Sequence, residues 1–126
     1  MIILDTDVLI EILDKKSDRG DGALKKVLQT DENIGITSIN LHEILYGLLK
    51  YAKPVEEVMG LPVLNYTKKD AGLSAKLEVE AESRGFPIRR SDAMIAAITI
   101  NNGARLFTLD FQHFVPVRAF GLKLFE

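Results

Sequence analysis

Two aspartates one position apart close the first apolar run of the chain, MIILDTDVLI. Met1 to Leu4 carries no charge and two isoleucines, the continuity of a short strand covered on both faces. Asp5 and Asp7 stand at its end. An Asx turn that leads into a helix, with Asp7 at or near the N-cap, explains them as well as a chemical role does. The elements that follow decide what else these carboxylates could meet.

Asp7 to Lys15 has Leu9, Ile12 and Leu13 at helical spacing, KKSDRGDG reads as a solvated loop, and Leu24, Val27 and Leu28 predict a further helix. NIGITS is a second strand. INLHEILYGLLKYA carries the strongest helical stripe, through Leu41, Ile44, Leu45, Leu48, Leu49 and Ala52. Pro54 to Gly60 is a short helical turn, and LPVLNY a third strand. Thr67 and Asp70 open a long helix in capping-box fashion, running to about Arg84, where Gly85-Phe86-Pro87 breaks it. SDAMIAAITINNG is a buried helix stopped at Gly103, ARLFTL a fourth strand and LKLF a fifth. Strands alternating with helices, without hairpin signals, predict an α/β fold: a three-layer α/β/α sandwich on a parallel sheet of four to five strands. No repeat or interdomain linker interrupts it, so residues 1–126 read as a single domain.

In such sheets ligands bind outside the carboxyl ends of the strands. Asp5 ends the first strand and Asp110 the fourth. Glu43 and Asp92 fall in the first turns of helices whose N-termini share that edge. Each acid also has a purely structural reading. Glu43 stands three residues after Asn40, which is capping-box spacing with Asn40 as N-cap; Asp92 complements a helix dipole; Asp110 caps the turn DFQHF. Separately these readings compete well. Together they leave unexplained why four acids share one rim. Ionised carboxylates in one pocket repel, and a hard cation coordinated by carboxylates and water, Mg²⁺ or Mn²⁺, removes the conflict.

Composition narrows the chemistry. The chain has no cysteine, which excludes disulfides, zinc-thiolate sites and thiol nucleophiles. His42 and His113 lack a partner at metal-ligand spacing and read as surface or capping residues. Net charge is −2, yet it is uneven: residues 1–63 hold seven Lys or Arg against eleven Asp or Glu, residues 64–126 nine against seven. An acidic protein still binds a polyanion when metal ions or a local basic patch face it. The N-terminus has no basic leader, and the longest apolar run, Ala93 to Ile98, is far below a membrane span, so a soluble, cytoplasmic protein without a membrane partner is expected.

The segments ILDTDVLIEIL, ITSINLHEILYGL, SDAMIAAITINNGARLFTLDFQHF and GLKL, in that order and over essentially the whole chain, resemble the PIN-domain nucleases, and among them the VapC-type toxins of prokaryotic toxin–antitoxin pairs. The resemblance implies an endoribonuclease whose metal-binding and catalytic acids are Asp5, Glu43, Asp92 and Asp110, with Thr6 and Thr108 as hydroxyl positions of the same motifs. It also implies Mg²⁺ or Mn²⁺ as cofactor, an RNA substrate, a cognate antitoxin and a homodimer. Two departures stand out: Asp7 where the family often has Asn or Ser, and VPVRAF, which looks longer than usual and leaves the last strand's position open. Arg89 and Arg90, just before Asp92, and Lys50 on the Glu43 helix are the candidate contacts to substrate phosphate, with solvated surface charge as the competing reading. Tyr46 and Tyr51 could stack on bases, although buried or interface positions suit them better.

Two other readings compete. A haloacid-dehalogenase-like phosphatase would use Asp5 as nucleophile and Asp7 as general acid, leaving Glu43 and Asp92 without a role. A non-catalytic PIN-like binding module would not require all four acids intact.

Overall fold

Ile2–Leu4 forms β1 at the centre of a five-stranded sheet in a computed structural model that describes residues 1–126. The other strands are β2 (Ile34–Thr37), β3 (Val63–Leu64), β4 (Arg105–Phe107) and β5 (Lys123–Leu124). Their order is β3-β2-β1-β4-β5, and every pairing is parallel. Both faces of β1 are buried, which is why its sequence is continuously apolar. Ile2 and Leu4 pack into one core with Val8, Leu9, Val27, Ile36, Ile44 and Leu48. Ile3 packs into the other with Leu77, Ile95, Leu106 and Phe114. The predicted three layers follow from these two cores.

One layer holds α1 (Thr6–Leu9), a π-helix (Ile10–Asp14), α2 (Asp18–Leu28), α3 (Ser38–Lys50) and α4 (Glu56–Met59). The other holds α5 (Lys68–Ser83), α6 (Arg90–Asn101), α7 (Phe111–Phe114) and a 3₁₀ helix (Val115–Phe120). No helix is long and apolar enough to cross a membrane. Strand order reverses direction between β1 and β4, and a crevice at such a switch point is where an α/β sheet binds its ligand.

Several local expectations change. The predicted helix from Asp7 to Lys15 is one turn of α-helix followed by the π-helix, closed by a bond from Lys15 N to Ile10 O. Asp18 to Gly22, read as loop, form the start of α2, capped by Ser17, whose Oγ accepts from Gly20 N at 3.0 Å. Leu28 and Leu49 are exposed rather than core, and Ala52 lies beyond α3 with φ of 53°. VPVRAF is a 3₁₀ helix that ends in left-handed Gly121 and feeds β5 onto the sheet edge.

Candidate active site

The chain leaves β1 at Asp5, whose backbone N–H donates to Phe107 O at 2.9 Å, so this acid opens the crevice between β1 and β4. Asp5, not Asp7, is the N-cap of α1, and its Oδ1 accepts from Thr6 N at 2.9 Å. Oδ1 also accepts from Asn40 Nδ2 at 3.3 Å, and Oδ2 accepts from the Thr108 hydroxyl at 2.8 Å. Both oxygens of a buried carboxylate are thereby fixed. Burial, then the neighbouring charge of Asp7, pushes its pKa up to about 7, against the hydrogen bonds that favour the charged form.

Asp7 ties the first motif to the last. Its carboxylate accepts from Leu109 N at 3.1 Å, and the Thr108 hydroxyl lies 3.3 Å away. Burial raises its pKa as well. Thr108 Oγ in turn accepts from Asp110 N at 3.1 Å, which shapes the loop that carries Asp110. Asp110 occupies the N-cap position of α7 but makes no side-chain cap bond, so its carboxylate stays exposed at the rim.

Glu43 is likewise free of capping duty. The N-cap of α3 is Thr37, and Asn40 completes the box, with Thr37 N donating to Asn40 Oδ1 at 3.0 Å and Asn40 N to Thr37 Oγ1 at 3.1 Å. The reading with Asn40 as cap and Glu43 as its partner is corrected: the box lies three residues earlier, and Glu43 is in the second turn. Its Oε1 accepts from the Thr6 hydroxyl at 2.7 Å, and Thr6 Oγ1 accepts from Asn40 Nδ2 at 3.1 Å. Buried Asn40 is therefore the hub that joins helix start, Asp5 and the Thr6–Glu43 pair. The signal for it was the T-x-x-N spacing in TSIN.

Asp92 is buried in the first turn of α6. Its Oδ2 meets Arg89 Nε at 2.9 Å and His113 Nε2 at 2.8 Å. His113, read from sequence as surface or capping, thus reaches the site; nothing in sequence spacing links it to Asp92 across the fold. A hollow of about 300 Å³ is lined by Asp5, Thr6, Asp7, Ile10, Glu43, Arg89, Asp92, Asp110 and Phe114. A larger hollow of about 450 Å³, between α5 and the 3₁₀ helix, is mainly apolar and shares none of the acids.

The two other candidate phosphate contacts are not brought to this hollow. Arg90 pairs with Glu78 on α5 at 3.0 Å. Lys50 lies in the last turn of α3, about 10 Å along the helix axis from Glu43, over the rings of Tyr46 and Tyr51 at 5.8 Å each. Both tyrosines are exposed, which removes the expectation of burial and leaves them on the surface.

The donor set suits a hard cation: only oxygens, five acids on one hollow, and one acid held near neutrality by its surroundings. No three of these side chains close on one point tightly enough to hold an ion as they stand. Arg89 supplies the positive charge instead. Its hydrogen bond and charge pairing with Asp92, with the added fields of Glu43 and Asp110, raise its pKa further.

Residues 2–115 match the family model of the PIN domain, and the chain belongs to that family. Its fold matches one chain of VapBC2 from Rickettsia felis, solved on a promoter DNA fragment, at 27% identity, 99% of this chain and 98% of that one, with a TM-score of 0.80. It also matches a toxin–antitoxin complex from Klebsiella pneumoniae at 22% identity, 93% and 92% coverage and a TM-score of 0.75. A third match is Mycobacterium tuberculosis VapC20, described as a sarcin–ricin loop cleaving toxin, at 16% identity, 97% and 96% coverage and a TM-score of 0.68. The resemblance to VapC-type toxins drawn from the motifs is borne out. No curated protein matches the chain at a significant level.

Proposed function

We propose that this chain is a metal-dependent endoribonuclease of the VapC type, cleaving RNA phosphodiester bonds with Mg²⁺ or Mn²⁺ held by Asp5, Glu43, Asp92 and Asp110. The observation that carries this reading is Asp5: buried, its pKa pushed up to about 7 by burial and by Asp7, and facing a hollow with four further acids. A dication relieves that charge conflict where hydrogen bonds alone do not. Bound there, it would supply an activated water and charge stabilisation at the phosphoryl oxygens.

The chain's own residues set the geometry. Thr108 and Asn40 hold the two oxygens of Asp5, and Thr6 aims Glu43. In this reading Asp110, exposed at the rim, would take the proton of an attacking water. Arg89, once drawn away from Asp92, can contact the scissile phosphate. No protein nucleophile is required. The phosphatase alternative, with Asp5 as nucleophile, is less well supported: Glu43 and Asp92 line the same hollow and would have no task in it.

Similarity to toxin–antitoxin complexes supports a cognate antitoxin as partner. Exposed Tyr46 and Leu49 on α3 and Tyr51 just after it, with Met59 on α4, supply apolar surface for a homodimer. Cytoplasmic RNA is the substrate this reading implies.

Incubating structured RNAs with wild type and Asp5→Asn, in Mg²⁺ and in excess chelator, tests the reading. Cleavage by wild type in Mg²⁺ alone is expected. Undiminished cleavage in chelator overturns the metal mechanism, and cleavage by Asp5→Asn at the wild-type rate overturns the site. A phosphoryl adduct mapped to Asp5 would restore the phosphatase reading.

A further inference from the structure

The acid hollow continues sideways. A second hollow of about 340 Å³ shares Asp7, Ile10 and Asp110 with it and runs along the π-helix to Glu11, Lys15 and Arg19. Three cations line the two hollows together. Arg89 is committed to Asp92 at 2.9 Å, and Lys15 lies 3.7 Å from Glu11. Arg19 forms no ion pair and is exposed to the hollow.

The backbone that carries Arg19 is nevertheless closely constrained. Gly20 beside it lies so close to the π-helix that a Cβ there would stand 2.1 Å from Glu11 O. Ser17 N donates to the same carbonyl at 3.1 Å, and Ser17 Oγ caps the first turn of α2. Lys16 adopts φ of 49°, a left-handed conformation that only the surrounding contacts sustain. These features fix the backbone from which an unpaired, exposed arginine reaches the open end of a trough that begins among the acids.

We infer that Arg19, with Lys15 beside it, is a binding subsite for a backbone phosphate of the RNA strand, next to the bond placed in the acid hollow. The inference rests on the ribonuclease reading and names where its substrate runs. A polyanion laid across this acidic rim meets repulsion beyond the reach of a metal ion, and cations along its path offset it. Guanidinium matches a phosphate with two parallel hydrogen bonds, and its planar fork is pre-organised, so less freedom is lost per bond than with an ammonium. Contacts of this kind set the register of the strand without reading its bases.

The test uses the full chain carrying Asp5→Asn, so that RNA is bound and not consumed, and a fluorescent mixed-sequence single-stranded RNA of a dozen nucleotides. Affinity is measured by anisotropy in Mg²⁺ over a series of salt concentrations. Adding Arg19→Gln should weaken binding about fivefold and reduce the slope of log affinity against log salt by about 0.7, the signature of one lost phosphate contact on a single strand. Lys15→Gln should act in the same direction and less strongly, because Glu11 competes for its charge. Arg90→Gln, which removes a cation held by Glu78, should leave both quantities unchanged; a loss equal to that of Arg19→Gln would mean unspecific charge and overturn the subsite. Unchanged affinity and slope in Arg19→Gln, with an unchanged melting temperature, also overturn it while the ribonuclease reading stands. Absence of RNA binding by the Asp5→Asn parent at every salt concentration overturns both.

Discussion

Arg89 Nε donates to Asp92 Oδ2 at 2.9 Å across the first turn of α6, so the acid that faces the hollow is already paired with a cation from its own helix start. A guanidinium there neutralises Asp92 and feels Glu43 and Asp110 as well. A dication entering the hollow must displace it. Arg89→Gln is therefore expected to tighten Mn²⁺ or Mg²⁺ binding about threefold, or on the order of 0.7 kcal/mol. The effect stays modest because the Arg89 side chain is 74% exposed and the pair is screened by solvent. Calorimetric titration of metal into both proteins without RNA measures it. Equal or weaker affinity in the variant would show that Arg89 does not compete with the ion.

The raised pKa of Asp5 gives stability a definite pH slope in chelator. Its ordinary value is 3.8 and its folded value about 7, so between these the folded state holds more protons than the unfolded one. Stability conferred by the neutral form is fully present below about pH 4 and is lost as pH rises towards 7. A single group of this kind lowers unfolding free energy by at most about 1.4 kcal/mol per pH unit, or roughly 5 °C of melting temperature for a domain of this size. Melting temperatures should decline accordingly from pH 5 through 6 to 7 and level off by pH 8. Asp5→Asn should flatten the decline and melt above wild type at pH 8, since Asn keeps an acceptor for Thr6 N and Thr108 can turn its hydroxyl to Asp7. A rising slope from pH 5 to 8 would mean that the fold stabilises the Asp5 charge.

Asn40 separates the structural half of the site from the chemical half. Asn40→Ala removes the cap partner of Thr37 and leaves buried Thr37 groups without an acceptor, while also releasing Asp5 Oδ1 and Thr6. A loss of about 2–3 kcal/mol by denaturant titration is expected, from the cap and from unsatisfied buried groups. Glu43→Ala in chelator should cost under about 1 kcal/mol, because Glu43 caps nothing and only takes the Thr6 hydroxyl. Similar losses in the two variants would return Glu43 to a structural role.

The strands and the four acids were legible because each signal is local. An apolar run such as MIIL, buried on both faces, announces a parallel strand, and an acid at its end falls at the sheet's carboxyl edge by topology alone. Asp110 follows the same logic, and Asp92 is placed by the first turn of a helix whose N-terminus shares that edge. What failed was decided by distant partners. The π-helix at Ile10–Asp14 looks like ordinary α-helical spacing, and it accompanies a backbone approach between Glu11 and Gly20 that no residue pattern encodes. His113 meets Asp92 only because α7 folds back against α6. Arg90 was drawn towards the site by its proximity to Asp92 in sequence, but successive residues at a helix start point in different directions, and Arg90 turns to Glu78. Leu28 fits the apolar spacing of α2 yet is 64% exposed, because Gly20, Ala23 and Val27 are the residues that the layer covers.

The close approach at Gly20 gives the last expectation, and Gly22 two positions on supplies its control. Both glycines lie inside α2, where alanine would ordinarily add about 1 kcal/mol through helix propensity. A Cβ on Gly22 meets no atom within 4 Å. Gly22→Ala should therefore stabilise the chain by about 0.5–1 kcal/mol. A Cβ on Gly20 would stand 2.1 Å from Glu11 O and 2.5 Å from Glu11 C, both backbone atoms that no rotamer change can move. Gly20→Ala must push α2 off the π-helix, disturbing the bond from Ser17 N to Glu11 O and the burial of Ala23 and Val27 behind it. A loss of about 3 kcal/mol or more is expected, in the range of overpacked core substitutions. Denaturant midpoints of the two variants should thus move in opposite directions from wild type. If Gly20→Ala is as stable as Gly22→Ala, α2 is free to shift, and the backbone that holds Arg19 beside the acid hollow is not fixed.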